Sequence, residues 1–305
     1  EEKDAAFLKL YDGHDWKWFA VRLKHTDMEY LRKHWSGKKA SAPTLEKKHD
    51  KYFLRFTYAE EVALNRTPVK EQTICSVDLG INTDAVCTIM RPDGTILGRK
   101  FINFPSDKDR MYRVLGRIRR FQREHGSRQV QGRWAYAKRL NTELGKKIAR
   151  EIVFYASENR ADVIVFEYLE MKGKLSGKKK QKLQMWKKRD IQKRCGQQAH
   201  RKGIRISRIG AWNTSRLAFD GSGKIDRDIQ DHRLCTFQNG KRYNCDLSAS
   251  YNIGARYFIR EILKPLPATE RSLLEAKVPA VKRRTSCVYA DLRDLISEME
   301  LRKAA

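Results

Sequence analysis

The most informative hydrophobic pattern in the chain is a pair of short apolar runs, 73–79 and 85–90, joined by a polar turn. Runs this continuously apolar are typical of strands that are buried on both faces. The sequence Arg91-Pro92-Asp93-Gly94 then predicts a tight turn, and a third strand is expected over 95–104. Three consecutive strands joined by short turns predict an antiparallel meander.

After residue 104 the apolar positions recur about every four residues, which is typical of helices that bury one face. A basic helix is predicted near 106–123 and another through the face formed by Leu140, Leu144, Ile148 and Ile152. Further helices are expected over 247–263, before Pro265, and over 286–303. Strands 161–168 and 204–209 alternate with these helices. A meander followed by such alternation predicts an α/β fold, a mixed sheet with flanking helices in the element order of the ribonuclease H-like fold.

The first 70 residues have a different character. Segments 16–24 and 52–58 are rich in aromatic and β-branched residues and predict strands, with a basic stretch at 32–48 between them. Two or three strands are too few for a closed barrel, so we expect part of a β-rich domain. The chain begins without Met, and we expect it to be the C-terminal portion of a longer protein that carries an N-terminal recognition part.

Composition narrows the choice of partners. Of 305 residues, 65 are Lys or Arg and 37 are Asp or Glu, a net charge of +28 that favours nucleic acid, with an anionic membrane surface as the second choice. No apolar run approaches the ~20 residues that span a bilayer, and no secretion signal is visible. Six scattered cysteines favour a reducing compartment. We expect the cytoplasm of a prokaryotic cell, close to the nucleoid, and no membrane partner.

Three carboxylates stand where the predicted elements end or begin. Asp78 and Glu167 each end an apolar run, and Asp246 lies where the helix 247–263 should start, before the small residues at 248–250. Taken singly, Asp78 could cap a turn, Glu167 could pair with a lysine at a sheet edge, and Asp246 could be a helix N-cap. Taken together they would repel one another, which a hard divalent cation resolves. Two such ions about 4 Å apart can activate water and stabilise the leaving oxygen of a phosphodiester.

The segments that carry these carboxylates resemble the split RuvC motifs of TnpB nucleases and type V CRISPR effectors. The first motif of that family, D-x-G-x-x-x-x-A, is met by Asp78, Gly80 and Ala85. The second, a Glu that ends an apolar strand, is met by Glu167. The resemblance covers about 70–264 well and the preceding strands weakly.

The third motif, D-x-N-A-A-x-N-I, is met by Asp246, Ala249, Asn252 and Ile253, with serine at positions 248 and 250. The resemblance implies an RNA-guided DNA endonuclease whose three carboxylates bind Mg²⁺ or Mn²⁺, with guide RNA and target DNA as partners. Two alternatives stay open, an RNA-guided DNA-binding protein that does not cleave and a transposase. The resemblance also implies a domain plan: 1–70 the end of a wedge-like β domain, 71–211 and 246–305 the RuvC-like core, 212–245 an insertion.

The insertion departs from the family. In many TnpB-like proteins a Thr-Ser pair opens a C-x-x-C zinc knuckle, but residues 214–221 contain no cysteine. Cys235, Cys245 and His232 give at most three ligands, where structural zinc normally has four. We therefore expect a degenerate, zinc-free insertion, while a site completed by a further ligand stays the alternative. Asp226-Arg227-Asp228 is interpreted as a loop salt-bridge element.

The basic run 171–205 contains fourteen Lys or Arg and one acidic residue, and lies between the second and third motifs. A solvated charged face is one interpretation, and a nucleic-acid surface bordering the metal site is the other. We expect nucleic-acid contacts from this run and from the basic helix. The predicted contact residues are Lys178, Lys179, Lys180, Lys182, Trp186, Lys187, Lys188, Arg189, Arg113, Arg117 and Arg120.

Overall fold

The computed structural model of the chain describes residues 4–48, 50–126, 130–168, 188–283 and 285–304. The chain divides into two compact units, Glu1–Val62 and Ala63–Ala305. The predicted contact residues Lys178, Lys179, Lys180, Lys182, Trp186 and Lys187 lie outside the described residues.

The N-terminal unit contains two hairpins and one helix. Its elements are β1 (Ala5–Tyr11), β2 (Trp16–Arg22), α1 (His25–Trp35), β3 (Thr44–Lys48) and β4 (Lys51–Arg55). Strands β1 and β2 pair antiparallel, and so do β3 and β4, in two separate two-stranded sheets. The sequence predicts β2 and β4 from their aromatic residues. It does not predict β3 or α1, because the basic residues between 32 and 48 hide their apolar positions.

The C-terminal unit is built on a five-stranded mixed sheet, as predicted. Its strands are β5 (Ile74–Asp78), β6 (Ala85–Met90), β7 (Ile96–Ile102), β8 (Val163–Tyr168) and β9 (Arg205–Gly210). The strand order is β7-β6-β5-β8-β9. Strands β5, β6 and β7 form the antiparallel meander, whereas β8 and β9 run parallel to β5. The central strands β5 and β6 are buried along their whole length, which explains their uninterrupted apolar sequence.

Six α-helices of this unit lie within the described ranges. They are α2 (Pro105–His125), α3 (Gln131–Glu158), α4 (Lys188–His200), α5 (Cys245–Leu263), α6 (Ala268–Lys277) and α7 (Tyr289–Ala304). Short 3-10 helices occupy Val69–Glu71 and Pro279–Lys282. Among these helices none combines the length and the apolar character needed to cross a bilayer.

The sheet has an apolar core on each face, and alternate residues of each strand enter one core or the other. On one face Cys75 and Phe166 pack with Ile152 of α3 and Cys195 of α4. On the other face Ile74, Val163 and Val165 pack with α5 and α7, for example with Phe258 and Leu292. Helix α4 therefore buries a stripe of its own, although it lies within the basic run.

Helix α5 approaches the sheet unusually closely, as its small residues predict. Ser248, Ala249 and Ser250 are at most 1% exposed, and the hydroxyls of Ser250 and Thr88 lie 2.6 Å apart. A Cβ on Gly254 would lie 2.8 Å from Cε of Met90 and 3.1 Å from Oγ of Ser76. The glycine is therefore required for this spacing between helix and sheet.

The insertion between β9 and α5 forms a small three-stranded sheet of β10 (Asp226–Arg227), β11 (Leu234–Thr236) and β12 (Arg242–Asn244). Its core contains Ala218, Phe237 and both cysteines, Cys235 and Cys245, with Phe219 packed against it. Burial raises the pKa of Cys235 to about 12 and also raises the pKa of Cys245. The two thiols are thus buried core residues of the insertion, and in the metal-free protein burial favours their protonated form. Asp228 forms an ion pair with Arg242 at 3.2 Å, in line with the predicted loop salt bridge.

We expect Gly254→Ala to destabilise the protein and Gly116→Ala to stabilise it. Both glycines lie inside helices, where alanine gains about 1 kcal/mol of helix propensity. A Cβ at Gly116 would meet no atom within 4 Å, so the full gain should be measured there. At Gly254 overpacking against Met90 should cost about 1–3 kcal/mol, which exceeds the gain in helix propensity and lowers the free energy of unfolding. Urea unfolding of both variants is the measurement, and equal stabilisation by both would contradict the close packing of α5.

Candidate active site

Strand register brings Asp78 and Glu167 to the same level of the sheet. Strands β5 and β8 pair parallel from Ile74 opposite Val163 to Ser76 opposite Val165, and two further steps place Asp78 opposite Glu167. By the alternation of side chains, both carboxylates point to the face that carries α5. Each residue is only 8% exposed. The two acids thus lie side by side at the carboxyl ends of neighbouring parallel strands, where open α/β sheets bind their ligands.

The third carboxylate enters from the first turn of α5. The N-cap of α5 is Asn244, whose side chain accepts a hydrogen bond from the backbone N–H of Leu247 at 2.9 Å. Asp246 lies two residues further on, so the interpretation of Asp246 as the N-cap is wrong. Its carboxylate accepts a hydrogen bond from the hydroxyl of Thr83. A carboxylate in a first turn is favoured by the positive end of the helix dipole.

All three carboxylates line one cavity of about 370 Å³. The cavity is also lined by the backbone after β5, by the loop after β9 and by two side chains of the insertion. These further lining residues are Leu79, Gly80, Ile81, Asn82, Ala211, Thr214, Ser215, Arg227 and His232. The sequence pattern thus predicts three acids that the structure brings into one cavity, and the structure adds Arg227 and His232 to the lining.

Gly80 allows the turn after β5 to close over this cavity. A Cβ at Gly80 would lie 2.4 Å from the carbonyl oxygen of Thr83 and 3.8 Å from Oδ2 of Asp246. Any larger residue would push away the turn that presents the Thr83 hydroxyl to Asp246. The glycine of the first motif is therefore required by the close approach of this turn.

Burial and mutual repulsion disfavour the ionised form of the three acids. The pKa of Asp78 is raised well above its usual range, first by burial and then by the charges of Glu167 and Asp246. Burial also raises the pKa of Glu167 and of Asp246, against the opposing hydrogen bonds from Thr214 and Thr83. The ionised carboxylates therefore need more positive charge nearby than the described residues supply.

Arg227 supplies part of the missing positive charge. It lowers the pKa of Asp78 and of Asp246, and its guanidinium donates a hydrogen bond to the carbonyl oxygen of Ser215 at 3.1 Å. The sequence indicates Arg227 only as part of a loop salt-bridge element and does not reveal that it lines the cavity with the acids. Its partner carboxylates lie far away in sequence, and no local pattern could have revealed the contact.

The donor set suits a hard divalent cation, since buried carboxylate oxygens that repel one another gain most from such an ion. Within the described ranges, no three His, Cys, Asp or Glu side chains are arranged so that they could share one metal ion. The carboxylates would have to turn towards one another to do so. Asp78, Glu167 and Asp246 are the side chains that would hold the ion.

A network of buried polar groups fixes Glu167. The hydroxyl of Thr214 donates a hydrogen bond to its carboxylate. The amide of Asn252, on α5, donates to the carbonyl oxygens of Thr214 and Leu217 at 3.0 and 2.9 Å and accepts from the backbone N–H of Tyr289. The asparagine of the third motif therefore has every polar group of its amide engaged in holding the loop behind Glu167.

Helix α4 also reaches the site. Gln192 donates a hydrogen bond to the carbonyl oxygen of Glu167 at 3.0 Å. Lys188 is 8% exposed, and its charge lowers the pKa of Glu167. Of the predicted nucleic-acid contacts, Lys188 thus faces the buried acids in this structure. By contrast, Arg189 and the α2 residues Arg113, Arg117 and Arg120 are exposed.

We expect Asp78→Asn to raise the melting temperature of the metal-free protein at neutral pH. The pKa of Asp78 is higher in the folded than in the unfolded chain, so stabilisation from this group exists at acidic pH and disappears as pH rises through the folded pKa. The gain should therefore shrink on acidification. Thermal melts in EDTA at several pH values are the measurement. Asp228→Asn is the control, because backbone hydrogen bonds lower the pKa of the exposed Asp228 and its loss should give no gain.

Comparisons with family models and with curated proteins find no match to the chain. Among solved structures it is similar to a Cas12f1-sgRNA-target DNA complex, with a TM-score of 0.48 and 17% identity over 68% of this chain and 54% of the other. A CRISPR-Cas12f ternary complex gives a TM-score of 0.44 and 15% identity over 77% and 49%.

A third similar structure, the RuvC of Thermus thermophilus, gives a TM-score of 0.26 and 11% identity over 75% of this chain and 97% of that one. The chain spans about half the length of the two Cas12f chains. Every one of these TM-scores is below 0.5. The proteins to which it is similar in structure are type V CRISPR effectors and RuvC.

Proposed function

We propose that the chain is the nuclease portion of an RNA-guided DNA endonuclease, and that it hydrolyses phosphodiester bonds at the cavity formed by Asp78, Glu167 and Asp246. The observation that carries the proposal is the convergence of these acids on one face of the sheet. Two come from neighbouring parallel strands and one from the first turn of the helix packed over them. The Cas12f1 structure is a complex with an sgRNA and a target DNA, and we propose a guide RNA and a target DNA as partners here.

In this proposal the three carboxylates hold divalent cations, Mg²⁺ or Mn²⁺. When bound, such ions supply an activated water and stabilise the charge on the leaving oxygen. Thr83 and Thr214 orient the carboxylates of Asp246 and Glu167 through hydrogen bonds. Each acid is needed, because each brings its carboxylate oxygens from a different element, β5, β8 or α5.

Arg227 is proposed to contact the scissile phosphate. It lines the same cavity, and its guanidinium interacts electrostatically with Asp78 without forming an ion pair with it among the described contacts. A guanidinium can donate two parallel hydrogen bonds to phosphate oxygens, which fixes the orientation of the phosphate as well as its position. The 212–245 insertion would thus contribute directly to the nuclease site, and its buried thiols would serve as core residues without zinc.

Sequence recognition is assigned to base pairing with the guide, while the protein holds the backbone of the nucleic acids. Exposed arginines on α2 are suited to that task. Arg113, Arg117 and Arg120 recur at intervals of four and three residues, so they share one side of the helix. Such a row can neutralise successive phosphates along a strand.

We expect Asp78→Ala, Glu167→Ala and Asp246→Ala each to abolish magnesium-dependent cleavage, with guided binding nearly unchanged. The three acids act as a unit, so the triple variant should be scarcely worse than any single one. Cleavage and target binding should be measured side by side, in magnesium and in EDTA, with matched guide and target. Asp228→Ala is the control, since Asp228 lies outside the cavity lining and should keep full activity.

Two results would overturn the nuclease proposal. A wild-type protein that binds its guided target and never cuts would instead be a guided binding protein. Products joined to a second DNA end, rather than cut ends, would indicate a transposase. Cleavage that survives Asp246→Ala at a near wild-type rate would remove Asp246 from the proposed ligands and leave the rest of the proposal standing.

We expect replacement of Arg113, Arg117 and Arg120 by Gln to flatten the salt dependence of nucleic-acid binding. Each lost phosphate contact should remove about 0.7–0.9 from the slope of log affinity against log salt concentration. Binding titrations over a range of salt concentrations are the measurement. A matched triple replacement of the exposed Lys264, Lys277 and Lys282 removes the same charge elsewhere, and an equal effect of both sets would mean that α2 makes no specific contact.

A further inference from the structure

Trp212 is an exposed aromatic residue in the loop whose neighbouring residues line the cavity. It follows β9 by two residues, between Ala211 and Thr214, both of which line the cavity that contains the three carboxylates. Its side chain is 67% exposed. In the part of the chain that the structure describes, no aromatic ring or cation is packed on its indole. A large flat apolar surface therefore faces solvent beside the proposed reaction site.

The backbone that carries Trp212 is held rigidly by a buried arginine. The guanidinium of Arg256, on α5, donates hydrogen bonds to the carbonyl oxygens of Gly210 at 2.9 Å and of Trp212 at 2.7 Å. It also donates to the carbonyl oxygen of Cys287 at 2.7 Å. Arg256 is only 2% exposed. A buried guanidinium needs hydrogen-bond acceptors, and here these acceptors are carbonyl oxygens of the loop, so Arg256 ties the loop to α5.

The chain turns sharply after Trp212, so that the indole is exposed whereas the side chain of Thr214 is buried. Asn213 has a φ of 55°, in the left-handed region that few residues other than glycine adopt. Directly after it, Thr214 turns inwards and donates its hydrogen bond to Glu167. The position of Trp212 is thus tied, within two residues, to the position of a carboxylate of the site.

Exposed aromatic residues are ordinary on protein surfaces, and most need no explanation. Phe154 on α3 is one example, 48% exposed, with the ammonium of Lys100 5.8 Å from its ring centre. Trp212 differs because its backbone accepts hydrogen bonds from a buried arginine and because Ala211 and Thr214, which flank it in the loop, line the cavity with the carboxylates. Positive charge is also close along the chain at the exposed Arg216. An aromatic face beside cations is the arrangement that binds single-stranded nucleic acid through its bases and phosphates.

We propose that Trp212 is a base-stacking subsite, on which a nucleobase of a single strand stacks as the neighbouring phosphate enters the cavity. Stacking depends little on base identity, because every base has an aromatic face. The indole would thereby set how far the strand advances past the carboxylates. The ligand is a nucleobase of single-stranded nucleic acid, DNA or RNA. The positioning role rests on the proposed nuclease function, whereas the stacking itself does not.

The first experiment measures binding without chemistry. Hexamers of thymidylate, of uridylate and of abasic deoxyribose phosphate are titrated against the full chain in EDTA, for wild type, Trp212→Ala and Trp212→Phe. Trp212→Ala should weaken binding of the base-bearing hexamers by roughly 5- to 150-fold and leave the abasic hexamer unchanged. Trp212→Phe should restore most of the affinity. A larger loss for one of the two base-bearing hexamers identifies the strand as DNA or RNA.

Phe154→Ala is the matched control, because it truncates an exposed aromatic residue of the same unit and should change no affinity. Equal weakening of base-bearing and abasic hexamers by Trp212→Ala, or no weakening at all, would overturn the stacking subsite. Thermal melts of each variant show whether a loss of affinity reflects unfolding.

The second experiment measures guided cleavage in magnesium with the same variants. Trp212→Ala should lower the cleavage rate of bound target. A target that lacks the stacked base should then be cleaved by this variant no more slowly than the intact target. Stacking in EDTA combined with no cleavage by the wild type would overturn the proposed function and keep the subsite. Cleavage that is equally fast in wild type and Trp212→Ala, for targets with and without bases near the cut, would overturn the positioning role.

Discussion

The structure depends on the packing of one helix, α5, over two buried carboxylates to which the helix adds a third, half-buried one. Asp78 and Glu167 lie at the same level of two parallel strands, and α5 brings Asp246 onto them. Burial and mutual repulsion raise the pKa of Asp78, so this arrangement opposes folding whenever the acids are ionised and no cation is bound. The packing of α5 on the sheet has to supply the free energy that holds the acids together. A bound divalent cation would add to that free energy, because it binds the folded state alone.

The tight packing of α5 explains the residues of the third motif one by one. Gly254 and Ser250 bring the helix close to β5 and β6, and Asn252 ties the loop after β9 to the helix. Arg256, one turn further on, holds the same loop through Gly210 and Trp212. A single helix therefore positions one carboxylate directly and a second one through Thr214. A change in the seating of α5 would move both acids together.

Much of this fold could be predicted from the sequence, because buried strands and amphipathic helices leave regular apolar patterns. The mixed sheet and the three acids at its edge follow from such patterns and from the motifs. What could not be predicted are contacts between distant segments. Arg227 reaches the acids from the insertion, and Asn244 takes the cap position that Asp246 could have held. The element order predicts a helix between β8 and β9, but not the bounds or the buried stripe of α4, because its buried residues are separated by Lys and Arg.

Charge is distributed very unevenly around the site, and that distribution fits a polyanionic substrate. The chain carries a net charge of +28, yet Asp78, Glu167 and Asp246 are gathered in one cavity. Cations bound at the acids and Arg227 beside them would draw a phosphate inwards, while exposed arginines on α2 can hold the backbone elsewhere. Arg227 and Lys188 already lie close enough to lower the pKa values of the acids, but burial keeps those pKa values raised. The positive charge that is still missing at the acids is what a divalent cation would supply.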